Sequence, residues 1–361
     1  MAALPPFFRL PPNRVWRSYL GGRFLDALEG KSKADDSHFP EDWIGSLTAA
    51  KNPPDGGGGD GVARVEFAGQ THRLTELLNS NPEYFLGSAH LARHGCDPRI
   101  LIKYIDASIR LHLQVHPTAA FAQKHLNAPA GKTEAYYVLA ARPEIRDPHL
   151  YLGFHTPPTK QQLKRWIEEQ AIDSLLASMN RVAVTPADVL LVPGGLPHAL
   201  GAGLFLVELQ EASDLVVRFE FERGGYVLPE DSRFMGKGLD FCLDVFNAAP
   251  CTMNDIQATL RCPAKPVAEL STHARLESLI GPEQTDRFRL KQVHFTGEFN
   301  LPINAFTIAI VAHGACRLEA AGQSLSLACY DKCLLPHGAE SIRIRPLGNE
   351  PAALLLCEPP A

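Results

Sequence analysis

From Asp188 onward, apolar residues fall in short runs broken by glycine and proline: Val189 to Val192, Leu204 to Leu209 and Val216 to Phe221. Runs of this length, with side chains alternating between two faces, predict strands of an antiparallel barrel or jelly roll. The rhythm returns in Phe288 to Phe295, Ala305 to Val311, Arg317 to Ala320, Leu325 to Leu327, Cys333 to Leu335, Ser341 to Arg345 and Ala352 to Cys357, which predicts a second barrel. Short strands are also expected around Trp16 to Leu25 and Trp43 to Ser46. Two segments carry the helical period instead. Leu74 to Phe85 reads as a short helix. Lys160 to Met179 reads as a longer one, with Leu163, Trp166, Ile167, Ile172, Leu175 and Leu176 near helical spacing. The resulting division is a first barrel over 1–237 with a small helical cap at about 156–182, a linker over 238–285, and a C-terminal barrel over 286–361. The chain is therefore expected to be mainly β.

Asn52 to Gly61 contains four consecutive glycines. No Lys-Ser/Thr pair or helix start follows them, so a surface loop is expected rather than a phosphate-binding one.

At 361 residues, 45% hydrophobic and 21% charged, the composition is that of a globular chain of two or three domains. The formal net charge of −5 provides no basic field for nucleic acid, so an anionic small molecule would need local positive charge. The first fourteen residues are rich in proline and contain no apolar leader, and runs such as Phe306 to Ala312 are too short to span a bilayer. A cytoplasmic protein with no membrane partner is expected. The eight cysteines show no C-x-x-C pairing and are read as reduced core thiols.

Three segments change the picture: Gln114-Val115-His116-Pro117, Gly131-Lys132-Thr133-Glu134 and Pro193-Gly194-Gly195-Leu196-Pro197-His198. Gln114 and His116 are two apart, hence on one face of a strand and able to reach a single ion. Glu134 and His198 follow at separations that place them on other strands of the same barrel. One amide oxygen, two imidazoles and one carboxylate suit zinc or another first-row divalent ion, with room for a water or substrate oxygen if coordination expands. Lys132 lies two residues before Glu134 and is expected to point toward the same face. Lys103 and Arg218 sit within apolar strands, where an unpaired cation is costly unless it faces a cavity or a partner.

These segments resemble the type I mannose-6-phosphate isomerase family, in its compact bacterial form. The resemblance extends to Pro98 to Ala107 with Lys103, to Glu41-Asp42-Trp43-Ile44-Gly45-Ser46, and to Leu206 to Arg218. It runs from about residue 14 to 225 and is looser beyond. It implies a cupin barrel holding one zinc through Gln114, His116, Glu134 and His198, and interconversion of mannose 6-phosphate and fructose 6-phosphate. It further implies that Lys103 and Lys132 bind substrate oxyanions or assist proton transfer, and that Arg218 stabilises developing oxygen charge. Asp214 and Glu208 are candidates for acid/base work, for substrate binding, or for orienting Arg218. The chain departs from the family pattern at Leu215-Val216-Val217, where hydroxyl-bearing residues are usual, and this bears on which groups hold the phosphate.

Two alternatives remain open: a non-catalytic sugar-binding or regulatory cupin, and an isomerase of another phosphosugar. An iron dioxygenase is disfavoured, since Gln114 stands where such sites use a third histidine. His294, His313 and His337 in the second barrel are read as lacking the paired arrangement and glutamate spacing of the first set, so a structural or vestigial barrel without metal is expected there.

Overall fold

The computed structural model describes residues 3–52 and 60–361. Most of the glycine-rich stretch read as a loop, 53–59, therefore lies outside the described residues.

The first barrel is two antiparallel sheets face to face. A six-stranded sheet runs Val189–Val192, Glu134–Ala141, Leu204–Glu211, Ile100–Asp106, Glu41–Ile44, Arg14–Val15. Opposite it, a five-stranded sheet runs Met179–Ala183, His149–Phe154, His198–Leu200, Gln114–Val115, Val217–Arg218. The two-residue period decides what each face meets. Ile105, Tyr136, Val138 and Leu206 pack inside the barrel against Leu150, Leu152 and Leu200, while their neighbours Tyr104, Tyr137 and Val207 pack outward in a different cluster. Both faces of Ile100–Asp106 are buried along its whole length, which explains its unbroken apolar run.

The C-terminal barrel repeats the plan. Its seven-stranded sheet runs Phe8–Arg9, Lys332–Leu335, Thr307–His313, Ala352–Glu358, Arg289–Phe295, Ala274–Ile280, Lys265–Ser271, and a four-stranded sheet built around Cys316–Ala320 and Ser341–Pro346 closes it. The later part of the stretch expected to be linker thus contributes two strands to this sheet: Lys265–Ser271 and Ala274–Ile280 pair as a hairpin and continue onto Arg289–Phe295. Charged residues interrupt their apolar pattern because Lys265–Ser271 is an exposed edge. The chain's own start also joins this sheet, Phe8 pairing with Leu334.

Other expectations shift for local reasons. Trp16 to Leu25 is not a strand; continuous pairing ends at Val15, only isolated bridges form at Gly21, and Gly22, at φ 100°, leads into the helix Arg23–Leu28. Leu74 to Phe85 divides into helices Leu74–Ser80 and Pro82–Leu86, because Pro82 can begin a helix but not continue one. Lys160 to Met179 is likewise two helices, Lys160–Glu168 and Ile172–Ser178, since Gln170 is left-handed at φ 50°. The Gln170 side chain donates to the Ile167 carbonyl and accepts from the Phe221 amide, so the break is tied to the barrel. Both helices lay Leu163, Ile167 and Leu175 on the outer face of the five-stranded sheet. Val216 to Phe221 keeps strand pairing only at Val217–Arg218. No described helix is long and apolar enough to cross a membrane. All eight cysteines are free, five of them buried.

Candidate metal centre and cleft

The three motif segments meet because their backbones touch. The amide of Lys132 donates to the Pro117 carbonyl at 3.0 Å, and that of Gly195 to the His116 carbonyl at 2.7 Å. Such an approach tolerates no side chain: a Cβ on Gly131 would lie 2.4 Å from the Ala119 nitrogen, and one on Gly194 2.8 Å from the Pro117 oxygen. Strand register does the rest, with His198 directly opposite Gln114.

His116, Glu134 and His198 are buried, and their donor atoms lie within 4.8 Å of one another. His116 Nε2 is 3.1 Å from Glu134 Oε1, and His198 Nε2 is 3.3 Å from Glu134 Oε2. The Gln114 amide lies 3.2 Å from His198 Nε2. Each imidazole donates its other nitrogen to a main-chain carbonyl, His116 Nδ1 to Leu215 and His198 Nδ1 to Leu196, both at 2.9 Å. Both Nε2 lone pairs are therefore aimed inward, the arrangement that fixes metal-binding histidines. Burial lowers the His116 pKa to about 3 despite the pull of Glu134, so the ring is neutral near pH 7. Burial would raise the Glu134 carboxyl, but the adjacent Lys132 ammonium holds it well below the usual range. Its Oε2 accepts from the Tyr136 hydroxyl at 2.5 Å, whereas Oε1 makes no well-formed hydrogen bond although Lys132 Nζ is 2.6 Å away. Two imidazoles with inward-facing Nε2 atoms, an ionised carboxylate with an unsatisfied oxygen and an adjacent amide are a donor set that fits zinc.

Beside this set lies a cleft of ≈460 Å³, open mouth included. Lys103, Lys132, Glu208, Asp214 and Arg218 all line it, with Gln114. Lys103 Nζ donates to Glu208 Oε2 at 2.6 Å. Burial raises the Glu208 carboxyl above its ordinary value and nearby Glu134 adds to this. Asp214 pairs with Arg17 at 3.4 Å, and Arg218 donates to the Ser232 carbonyl at 3.0 Å. Arg218 is thus held by a main-chain oxygen rather than by Asp214 or Glu208. It also borders an outer recess carrying Lys51 and Lys237.

The sequence reading passed over Arg17 and Tyr19, and quoted Glu41 and Trp43 without assigning them to the site. Both Glu41 oxygens are engaged: Arg17 Nε at 2.8 Å and Trp43 Nε1 at 2.7 Å reach one, and the Tyr19 hydroxyl at 2.6 Å reaches the other. The Lys103 ammonium lies over the Trp43 ring, 5.2 Å from its centroid.

Comparison with known proteins agrees with this geometry. No family model matches the chain. It is 36% identical over 167 residues to a Bacillus subtilis protein named "Probable mannose-6-phosphate isomerase GmuF", covering 46% of this chain and 49% of that one. It is 37% identical over 125 residues to the B. subtilis mannose-6-phosphate isomerase ManA, covering 34% and 38%. The matched part thus spans half or less of these relatives. Among solved structures, the B. subtilis mannose 6-phosphate isomerase superposes with a TM-score of 0.74 at 19% identity, covering 98% of this chain and 100% of that one. A zinc-bound mannose 6-phosphate isomerase superposes at 0.71 and 16% identity, covering 99% and 100%. In sequence over part of its length, and in fold over nearly all of it, the chain is similar to the mannose-6-phosphate isomerases.

Proposed function

We propose that the chain is a metal-dependent aldose-ketose isomerase interconverting mannose 6-phosphate and fructose 6-phosphate, with one zinc held by Gln114, His116, Glu134 and His198. The observation that carries this reading is the convergence of two imidazoles and a carboxylate at the wall of a cleft lined by Arg17, Lys103, Lys132 and Arg218. These four cations are balanced by Glu41, Glu134, Glu208 and Asp214, so a bound divalent ion would leave a net positive site for a dianionic phosphosugar. When bound, zinc would supply Lewis-acid stabilisation of the substrate's oxygens.

The protein's own groups do the remainder. Moving a proton between C1 and C2 passes through an enediol, and cations fixed where its oxygen charge develops lower the barrier. Arg218 and Lys132 have that role here. Glu208, whose carboxyl is held above its ordinary pKa by burial and by nearby Glu134, is placed to exchange a proton with the substrate, and its contact with Lys103 supplies a proton relay. Lys51 and Lys237 in the outer recess would meet the phosphate. The free cysteines support a reducing compartment, the cytoplasm.

The test is a coupled assay of the purified chain on mannose 6-phosphate, before and after chelation and after zinc is restored. Turnover that is lost and regained is expected. Turnover of another phosphosugar alone would change the substrate, and saturable sugar binding without any turnover would favour a binding module.

A further inference from the structure

The second barrel contains a tripeptide that the sequence reading missed: Gln292-Val293-His294 repeats Gln114-Val115-His116 letter for letter. Like the first pair, Gln292 and His294 are two apart on one strand, Arg289–Phe295, and therefore share a face. Glu277 on the neighbouring strand is directly opposite Gln292, and its Oε2 is 3.4 Å from His294 Nε2. On the other side, Ala353 is paired with both His294 and His313, so only a methyl group separates the two imidazoles along that row. All four side chains line one crevice between the barrels, ≈1650 Å³ with its open mouth included.

We propose that Glu277, His294 and His313, with the amide oxygen of Gln292, form a second and weaker site for a first-row divalent cation of the zinc type. The donors are available. His313 Nδ1 is engaged with the Pro351 carbonyl at 3.1 Å, which leaves Nε2 free, and Gln292 spends its NH₂ on the Tyr137 hydroxyl at 3.1 Å, which leaves its oxygen.

Two features make the site weaker than the first. Among the described residues only His116, Glu134 and His198 are drawn within 4.8 Å of one another, so the second set has to close by turning His313. Arg275, 2.9 Å from Glu277 Oε1, also competes for the carboxylate. Looser support around metal ligands costs on the order of 10- to 100-fold in affinity. The proposal does not depend on the isomerase reading.

Titration of the metal-stripped, full-length protein with zinc, followed by calorimetry and by elemental analysis after gel filtration, tests it; cobalt titration adds an absorption readout. Wild type should bind two equivalents, the second about 10-fold or more weaker. His116→Ala should lose the tight equivalent and keep the weak one. The double variant His294→Ala/His313→Ala should lose only the weak one. Because both side chains are at least partly exposed, this variant should keep its circular dichroism and melting temperature. Saturation of wild type at one equivalent that the double variant retains would overturn the proposal. So would a weak equivalent that survives in the double variant, which would belong elsewhere, for example to the helical pair His90 and His94.

Discussion

Glu41 shows how one side chain can organise a cleft without standing at the metal centre. Burial alone would raise its pKa, but Arg17, Lys103 and the hydrogen bonds from Trp43 and Tyr19 hold it well below the ordinary carboxylate value. A depressed folded-state pKa means that the unfolded chain takes up the proton first. The stabilisation from Glu41 is therefore fully present above the unfolded value of about 4.3 and fades as pH falls below it. Glu41→Gln should cost about 3 kcal/mol near neutrality, because it leaves Arg17 and Lys103 short of a buried counter-charge. It should also lose less stability than wild type when both are moved to about pH 3.5. Urea unfolding at the two pH values checks this, and parallel losses would show that Glu41 is not ionised in the fold. Single residues of this kind were only partly legible. Lys103 and Arg218 stood out as cations in apolar strands, whereas Arg17 meets Glu41 only through the pairing of Arg14–Val15 with Glu41–Ile44, which no local pattern encodes.

At the scale of elements, period-two runs located the strands well where one face is buried and the other differs in kind. They failed at an exposed edge such as Lys265–Ser271, while the helical period overran breaks set by a single residue, Gln170 and Pro82. The metal motifs were legible for a different reason: two of the three are turns whose glycine permits contact with the third. Gly131 and Gly194 flank Pro117 and Thr118, and the close approach sets where Lys132, Glu134 and His198 begin. Gly131→Ala should push these turns apart, since the new methyl would collide with main-chain atoms that cannot rotate away. Zinc affinity at the first site should drop by about 10-fold or more, the scale at which support around ligands is felt, with a smaller change in melting temperature. Unchanged affinity in a competition titration would mean that the turns relax without moving the donors.

At the scale of the whole molecule, the two barrels share one core. Tyr104, Tyr137, Phe205 and Leu209 from the first pack with Ile308, Ile310, Leu334 and Leu355 from the second. Polar ties reinforce the seam: Lys332 with Asp42, and the Tyr104 hydroxyl with the Tyr330 carbonyl at 2.8 Å. The N-terminal strand Phe8–Arg9 crosses to the second barrel, so neither barrel has a sequence-continuous boundary. This union was not visible in the sequence, where each barrel reads as self-sufficient; the seam depends on which face of Ile100–Asp106 turns outward. Leu355 is fully buried in it, on the strand beside Arg289–Phe295. Leu355→Ala should therefore cost about 2 to 5 kcal/mol through lost burial and the cavity left behind. If the seam makes the barrels one cooperative unit, the variant should still melt in a single transition at a lower temperature, and its tight zinc equivalent should be unaltered in the folded state. Calorimetry that resolved two transitions, with only one of them shifted by the substitution, would show that the barrels unfold separately and that the shared core contributes little to holding them together.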